Sequence, residues 1–142
     1  MNSFNSSALA VAPAPVEITP ARQRPIIMVA DDSADNREMM QVLLGLRGYD
    51  VVVAEDGRQA VEVALADLPD LILLDLELPL LDGLAVARNL LQHRQVPIVV
   101  VSGHDPRKYR QAALDAGCTD FLLKPVDFER LDVILQSKVP VA

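Results

Sequence analysis

The chain has a single cysteine, Cys118, and no tryptophan among its 142 residues. One thiol can close no intrachain disulfide and build no multi-cysteine zinc site, and it suits a reducing compartment. Positive charge is also scarce: 13 Lys and Arg stand against 20 Asp and Glu, a formal net charge of −7. The basic footprint that phosphate backbones and anionic lipid attract is therefore missing, which argues against direct nucleic-acid or membrane contact. No apolar run approaches the about 18 residues a membrane helix needs. The start, MNSFNSSALAVAPAP, carries no basic residue ahead of its short apolar part, unlike a secretory leader. A cytoplasmic protein is expected. The two histidines, His93 and His104, lack partner cysteines or H-x-x-x-H spacing, so they make no metal motif.

What is present is an apolar fraction of 51%, ample for one core at this length. Residues 1–24, rich in Ser, Ala and Pro, show neither helical nor strand period and read as a flexible tail. From Pro25 the pattern alternates. Short apolar runs at 26–30, 50–54, 71–75, 97–101 and 120–123 read as strands. The run Leu71 to Leu74 is apolar at every position, as in a parallel strand buried on both faces. Segments of helical period lie between: 34–46 with Met39, Met40, Leu43 and Leu44 on one side, 58–68 with Val61, Ala64, Leu65 and Leu68, then 84–92 and 106–116, and last 127–136 with Phe128, Leu131 and Leu135. Gly48 and Gly117 are natural helix ends. Strands alternating with helices imply right-handed crossovers and a doubly wound α/β domain over 25–138, with 139–142 a short C-terminal tail.

In such sheets ligands sit beyond the carboxyl ends of the strands, where strand order reverses. Those ends carry Asp31 and Asp32, Asp75, Ser102 and Gly103, and Lys124 and Pro125. If the strands are neighbours, three carboxylates, a hydroxyl and an ammonium converge. Clustered carboxylates repel unless a hard divalent cation such as Mg²⁺ sits among them. Lys124 and Ser102 then remain for an anion. On local grounds alone, Asp31 and Asp32 read equally well as acids favouring a helix N-terminus, and Phe121 as core.

The set in order, Asp31-Asp32, Asp75, Pro79 with Asp82-Gly83, Ser102-Gly103 and Lys124-Pro125, resembles the receiver domains of two-component response regulators, related to the chemotaxis protein CheY. The resemblance runs from about Pro25 to Gln136. It implies a flavodoxin-like topology of five strands and five helices. It implies that Asp75 accepts a phosphoryl group from a phosphohistidine on a sensor histidine kinase or histidine phosphotransfer protein. Asp32 and Asp75 would hold Mg²⁺ directly, Asp31 mainly through water, and the backbone carbonyl of Glu77 would add a ligand. Lys124 would pair with a phosphoryl oxygen, Ser102 would turn to bind another, and Phe121 matches an aromatic switch that moves inward. Glu77 and His104 match positions that gate the phosphoryl group and tune its lifetime, and a cis Lys124–Pro125 bond is implied as well.

The residue chemistry agrees with this. A carboxylate is a weak nucleophile, and phosphoryl transfer depends mostly on positioning and on neutralising charge over the moving oxygens. Gly103 would leave the mouth of the site open to a donor histidine. Since only KVPVA follows the last helix, a stand-alone switch is expected, a monomer or phosphorylation-dependent dimer signalling by contact with an effector protein, and no enzyme beyond its own phosphorylation and dephosphorylation. Two alternatives stand beside it. A phosphatase of the haloacid dehalogenase type also uses a strand-end Asp and Mg²⁺, but Asp75-Leu76-Glu77 lacks the second Asp of D-x-D-x-[TV]. A degenerate receiver would only bind partners. Cys118 reads as a small buried hydrophobe, His93 as a solvated helix end, and Arg107, Lys108 and Arg110 as a basic cluster on a surface that receivers often use for partners.

Overall fold

The computed structural model describes residues 24–79 and 82–141. The tail expected at the N-terminus falls almost entirely outside these residues. Its last member, Arg24, is tied down: Nε donates to Asp50 Oδ1 at 2.9 Å, and Nη2 donates to the carbonyls of Gly45 and Tyr49.

Among the described residues, five strands alternate with five helices: β1 Ile26–Ala30, α1 Ala34–Leu46, β2 Asp50–Ala54, α2 Gly57–Asp67, β3 Leu71–Asp75, α3 Gly83–Leu91, β4 Ile98–Ser102, α4 Pro106–Asp115, β5 Asp120–Leu123 and α5 Phe128–Lys138. All strands pair in parallel in the order β2-β1-β3-β4-β5. Every residue of β3 and β4 is buried, because helices cover both faces.

Alternation along the strands divides the core in two. Met28, Ile72, Leu74, Ile98, Val100 and Phe121 pack toward α2, α3 and α4. Ile27, Val29, Leu71, Leu73, Val99, Val101 and Leu122 pack toward α1 and α5, against Met40, Leu44, Leu131 and Leu135. The helical faces differ in part from expectation. Met39 is 42% exposed, and Leu65 and Leu68 are 42% and 46% exposed; α2 buries the small residues Gly57, Ala60 and Ala64 instead. Small side chains let α2 lie close to the sheet, and close approach turns the bulkier leucines outward. Beyond α5, Val139 is buried and its carbonyl accepts from the Tyr49 hydroxyl at 2.9 Å. Val139 and Val141 pack against the α1 and α5 side of the core.

Side-chain caps fix where each helix begins. Ser33, Asp56, Asp82, Asp105 and Asp127 each accept a backbone N–H of the helix they precede. Gly48 and Gly117 end α1 and α4 in left-handed conformation, at φ +98° and +99°. Leu68 does the same for α2 at φ 49°, a role its side chain gave no reason to expect.

Candidate functional site

The topology reverses between β1 and β3, which opens a crevice at their carboxyl ends. Asp31 and Asp32 follow β1, and Asp75 closes β3. The cap of α1 is Ser33 and its first-turn acid is Asp35. Asp31 and Asp32 thus precede the cap of the helix and lie at the crevice. Asp31, Asp32 and Asp75 each offer a carboxylate oxygen, all within 4.8 Å of one another. Such a set of hard oxygen donors suits a divalent cation of the Mg²⁺ type.

Backbone pairing runs past the strands and anchors the loops that carry these groups. Asp31 N–H donates to Ala54 O, Leu76 N–H to Val101 O, and Lys124 N–H to Ser102 O, at 2.8–3.0 Å. Ser102 itself is the last residue of β4, one place further than the sequence pattern suggested. Asp31 is held on three sides. Ser33 N–H donates to Oδ1 at 2.8 Å, Asn36 Nδ2 to Oδ2 at 3.4 Å, and Arg37 Nη1 to the Asp31 carbonyl at 2.9 Å. The half-buried Arg37 guanidinium also lies 3.9 Å from Glu55. Asn36 and Arg37 escaped the sequence argument, though their spacing of five and six from Asp31 puts them on the first turns of the helix that starts there.

Asp75 is 3% exposed, and both of its oxygens are bound. Oδ2 accepts from Lys124 Nζ at 2.8 Å and Oδ1 accepts from Glu77 N–H at 2.9 Å. Burial raises the Asp75 pKa above the ordinary carboxylate value; the Lys124 and Glu77 hydrogen bonds and the Lys124 charge oppose it, and Asp31 adds to it. For Lys124, burial works downward, but the hydrogen bond and charge of Asp75, with Asp31 and Glu77, leave its pKa raised. The 2.8 Å contact between Lys124 Nζ and Asp75 Oδ2 holds the two side chains in a fixed orientation.

Glu77 reaches back over the strand ends. Ser102 Oγ donates to its Oε2 at 2.9 Å, Gly103 N–H lies 3.5 Å from its Oε1, Lys124 Nζ is 3.8 Å from Oε1, and His104 Nε2 is 3.7 Å from Oε2. Ser102 is fully buried, and its Oγ also accepts from His104 N–H at 3.0 Å. A Cβ at Gly103 would meet nothing within 4 Å, in keeping with an open mouth there. Phe121 is already 6% exposed inside the core, on the same sheet face as Ser102. Its side chain therefore occupies the inner position here, since β5 aims it at the face that α4 covers.

A cavity of about 540 Å³ borders Asp75 and Lys124 between α1 and the start of α5, lined by Asn36, Met39, Met40, Val126 and Phe128 among others. The Lys124–Pro125 peptide bond is cis. Cys118 is buried, and burial pushes its thiol pKa up to about 11 against a small opposing effect of Arg88. It stands apart from this chemistry, as expected of a small hydrophobe. His93 is exposed, with Nδ1 2.9 Å from Asn89 O. Arg107 pairs with Asp105 at 3.2 Å, and Lys108 lies over the Tyr109 ring.

Comparison with known proteins places this geometry. Residues 27–136 match the response regulator receiver domain family. Response regulator MprA of Mycolicibacterium vanbaalenii is 42% identical over 106 residues, covering 74% of this chain and 46% of that protein. The chain thus spans under half of that relative's length. Among solved structures, the BeF3-activated N-terminal receiver domain of Klebsiella pneumoniae RstA superimposes with a TM-score of 0.76 at 32% identity, over 80% of this chain and 97% of that one. The receiver domain of sensor histidine kinase PA1611 from Pseudomonas aeruginosa PAO1 gives 0.72 at 32% identity, over 81% and 97%, and was solved with a magnesium ion coordinated in its active-site cleft.

Proposed function

Because the chain belongs to the receiver-domain family of two-component response regulators, we propose that it is a cytoplasmic switch phosphorylated on Asp75 by a phosphohistidine donor. The observation that carries this reading is the Asp75 carboxylate, held through both oxygens by Lys124 and the Glu77 amide beside Asp31 and Asp32. Receivers are signalling modules that work with histidine kinases and effectors, and family membership displaces the dehalogenase-type phosphatase as the account of a strand-end Asp.

In the proposed step an Asp75 oxygen attacks phosphorus as the N–P bond of the donor phosphoimidazole breaks. The imidazole leaves with the bonding pair, and an acyl phosphate remains on Asp75. Asp32 and Asp75 would hold Mg²⁺ directly, with Asp31 behind water and the Glu77 carbonyl as a further ligand. When bound, the ion supplies positive charge that offsets the phosphoryl oxygens. Lys124 then leaves its bond to Asp75 for a phosphoryl oxygen, which keeps a counter-ion on the transferred charge. Ser102 donates to another oxygen, and this exchange, felt by Phe121 on the same sheet face, is the proposed route to the effector surface. Phosphorylation then favours the state in which those contacts are made. A monomer that docks on its effector, or dimerises once phosphorylated, fits this scheme.

Incubation with acetyl phosphate and Mg²⁺ tests the reading. The wild-type protein should gain one acid-stable, base-labile phosphoryl group, and Asp75→Asn should gain none while keeping its fold, because the amide keeps the shape without the nucleophile. Full labelling of Asp75→Asn would sink the assignment. An unlabelled wild type would instead mark a partner-binding module without chemistry. Glu77 and His104 flank the same site, and we assign them the tuning of phosphoryl lifetime. Glu77→Gln or His104→Ala should change the decay half-life after donor removal several-fold, roughly 1 kcal/mol in barrier. Half-lives equal to wild type in both variants would place the gate elsewhere.

A further inference from the structure

We propose that the Glu77 carboxylate is a built-in occupant of the phosphoryl-oxygen site, holding the Ser102 hydroxyl, the Gly103 amide and Lys124 until an incoming anion displaces it. The proposal rests on the receiver reading and deepens it. Each contact alone is modest, since a half-exposed ion pair at 3.7–3.8 Å contributes little. Their convergence is the point. The two oxygens of one carboxylate collect a hydroxyl at 2.9 Å, an amide at 3.5 Å and an ammonium at 3.8 Å, the donor types an acyl phosphate on Asp75 would need.

The backbone makes this reach possible. Glu77 follows Asp75 by two residues, and its own N–H is bound to Asp75 Oδ1 at 2.9 Å, which sets the chain so that the side chain folds back over β4. Two anions cannot share these donors, because like charges a few ångströms apart in a partly desolvated site repel strongly. Arrival of a phosphoryl group must therefore expel the carboxylate. Space for it to leave exists at Gly103, where an added Cβ would meet nothing within 4 Å beyond its chain neighbours, and the His104 imidazole at the rim lies 3.7 Å from Oε2.

The fully buried Ser102 hydroxyl points at Glu77 before any phosphorylation. Its part in switching is then an exchange of acceptor, Glu77 for phosphoryl oxygen, and the released glutamate carries the change outward to the β4–α4 loop. Glu77 is a positioning residue in this scheme: it lowers the apparent affinity of the site for its activating anion.

The test uses the whole chain with beryllofluoride as the anion at saturating Mg²⁺, the saturating level being set separately for each variant. Binding is followed by the amide resonances of Gly103 and His104 and by the fluorescence of Tyr109, whose ring lies 5.3 Å from that of His104. Glu77→Ala should bind beryllofluoride about five-fold or more tightly than wild type. Glu77→Gln, isosteric and still an acceptor for Ser102 but uncharged, should fall between them. In the anion-free protein, the Gly103 and His104 resonances of Glu77→Ala should move away from their wild-type positions. Equal or weaker binding by both variants, each shown folded by its thermal melt, would overturn the proposal. Failure of the wild type itself to bind would overturn it together with the receiver reading, and the wild-type titration tells the two failures apart.

Discussion

At the scale of single residues, charge repulsion and burial set the properties of the site. Asp75 is buried beside two other carboxylates and has Lys124 as its counter-charge at 2.8 Å. Asp32 has no such partner among the contacts described and is exposed at the rim. Its contribution should be to metal rather than to the fold. Asp32→Ala is expected to weaken Mg²⁺ binding at least about tenfold, the scale on which metal-site residues act. By relieving repulsion, the same change should leave the metal-free protein no less stable. Thermal melts across a Mg²⁺ titration check both halves: the wild-type Tm should climb with metal, as binding to the folded state requires, and the variant's should climb only at about tenfold or more higher Mg²⁺. An unchanged climb would remove Asp32 from the metal shell.

At the scale of elements, the loop from β3 to α3 shows how packing positions the acceptor. Asp82 caps α3, and Gly83 N–H donates to the Leu76 carbonyl at 3.3 Å. A Cβ at Gly83 would sit 2.8 Å from both the Asp75 carbonyl oxygen and Leu76 Cα, so α3 begins in contact with the backbone that carries Asp75. Backbone cannot swing aside as a side-chain tip can. Gly83→Ala should therefore destabilise the fold by on the order of 1–3 kcal/mol. It should also displace the Asp75 loop, slowing phosphoryl uptake beyond the loss of stability. Denaturant unfolding and labelling rates measure the two effects; a variant with wild-type stability would show that the loop yields cheaply. By contrast Gly103→Ala meets open space, and its stability should stay within about 0.5 kcal/mol of wild type.

At the scale of the whole molecule, both faces of the sheet must stay dry, and buried titratable groups outside the site report on that. Burial raises the Cys118 thiol from 9.0 to about 11. For an acid whose folded pKa is raised, the neutral form belongs to the fold and the unfolded chain loses its proton first. This contribution to stability is complete below pH 9.0, declines as pH rises, and is spent by about pH 11. The expected slope in that window is about 1.4 kcal/mol per pH unit. Tyr49, raised by burial and by Asp132, acts in the same direction at higher pH. Cys118→Ala should flatten the alkaline limb of a stability profile between those values. A limb identical to wild type would show that the thiol is not kept from water by the fold.

Alternation of apolar runs and helical periods was enough to determine the parallel α/β architecture, since strands apolar at every position require cover on both faces and crossovers supply it. Most element bounds were legible for the same reason, as were the strand-end residues, because a carboxylate following an apolar run such as Leu71 to Leu74 is costly there unless something binds it. Periodicity could not tell which side of a helix goes inward when several apolar residues compete. Leu65 and Leu68 face out where the smaller Ala60 and Ala64 let α2 approach the sheet, and Met39 borders the cavity while Met40 and Leu44 take the core, a matter settled between elements rather than within one. The same holds at the site. Whether Asp31 and Asp32 lie beside Asp75 could not be read locally; the pairing of β1 with β3 brings the three carboxylates within 4.8 Å. The hold of Asn36 and Arg37 on Asp31, and the reach of Glu77 to Ser102 and Lys124, depend on side-chain directions in space. For Asp75, Glu77, Ser102 and Lys124, it is the register of β3, β4 and β5 that sets residues 25 to 49 positions apart within hydrogen-bond distance.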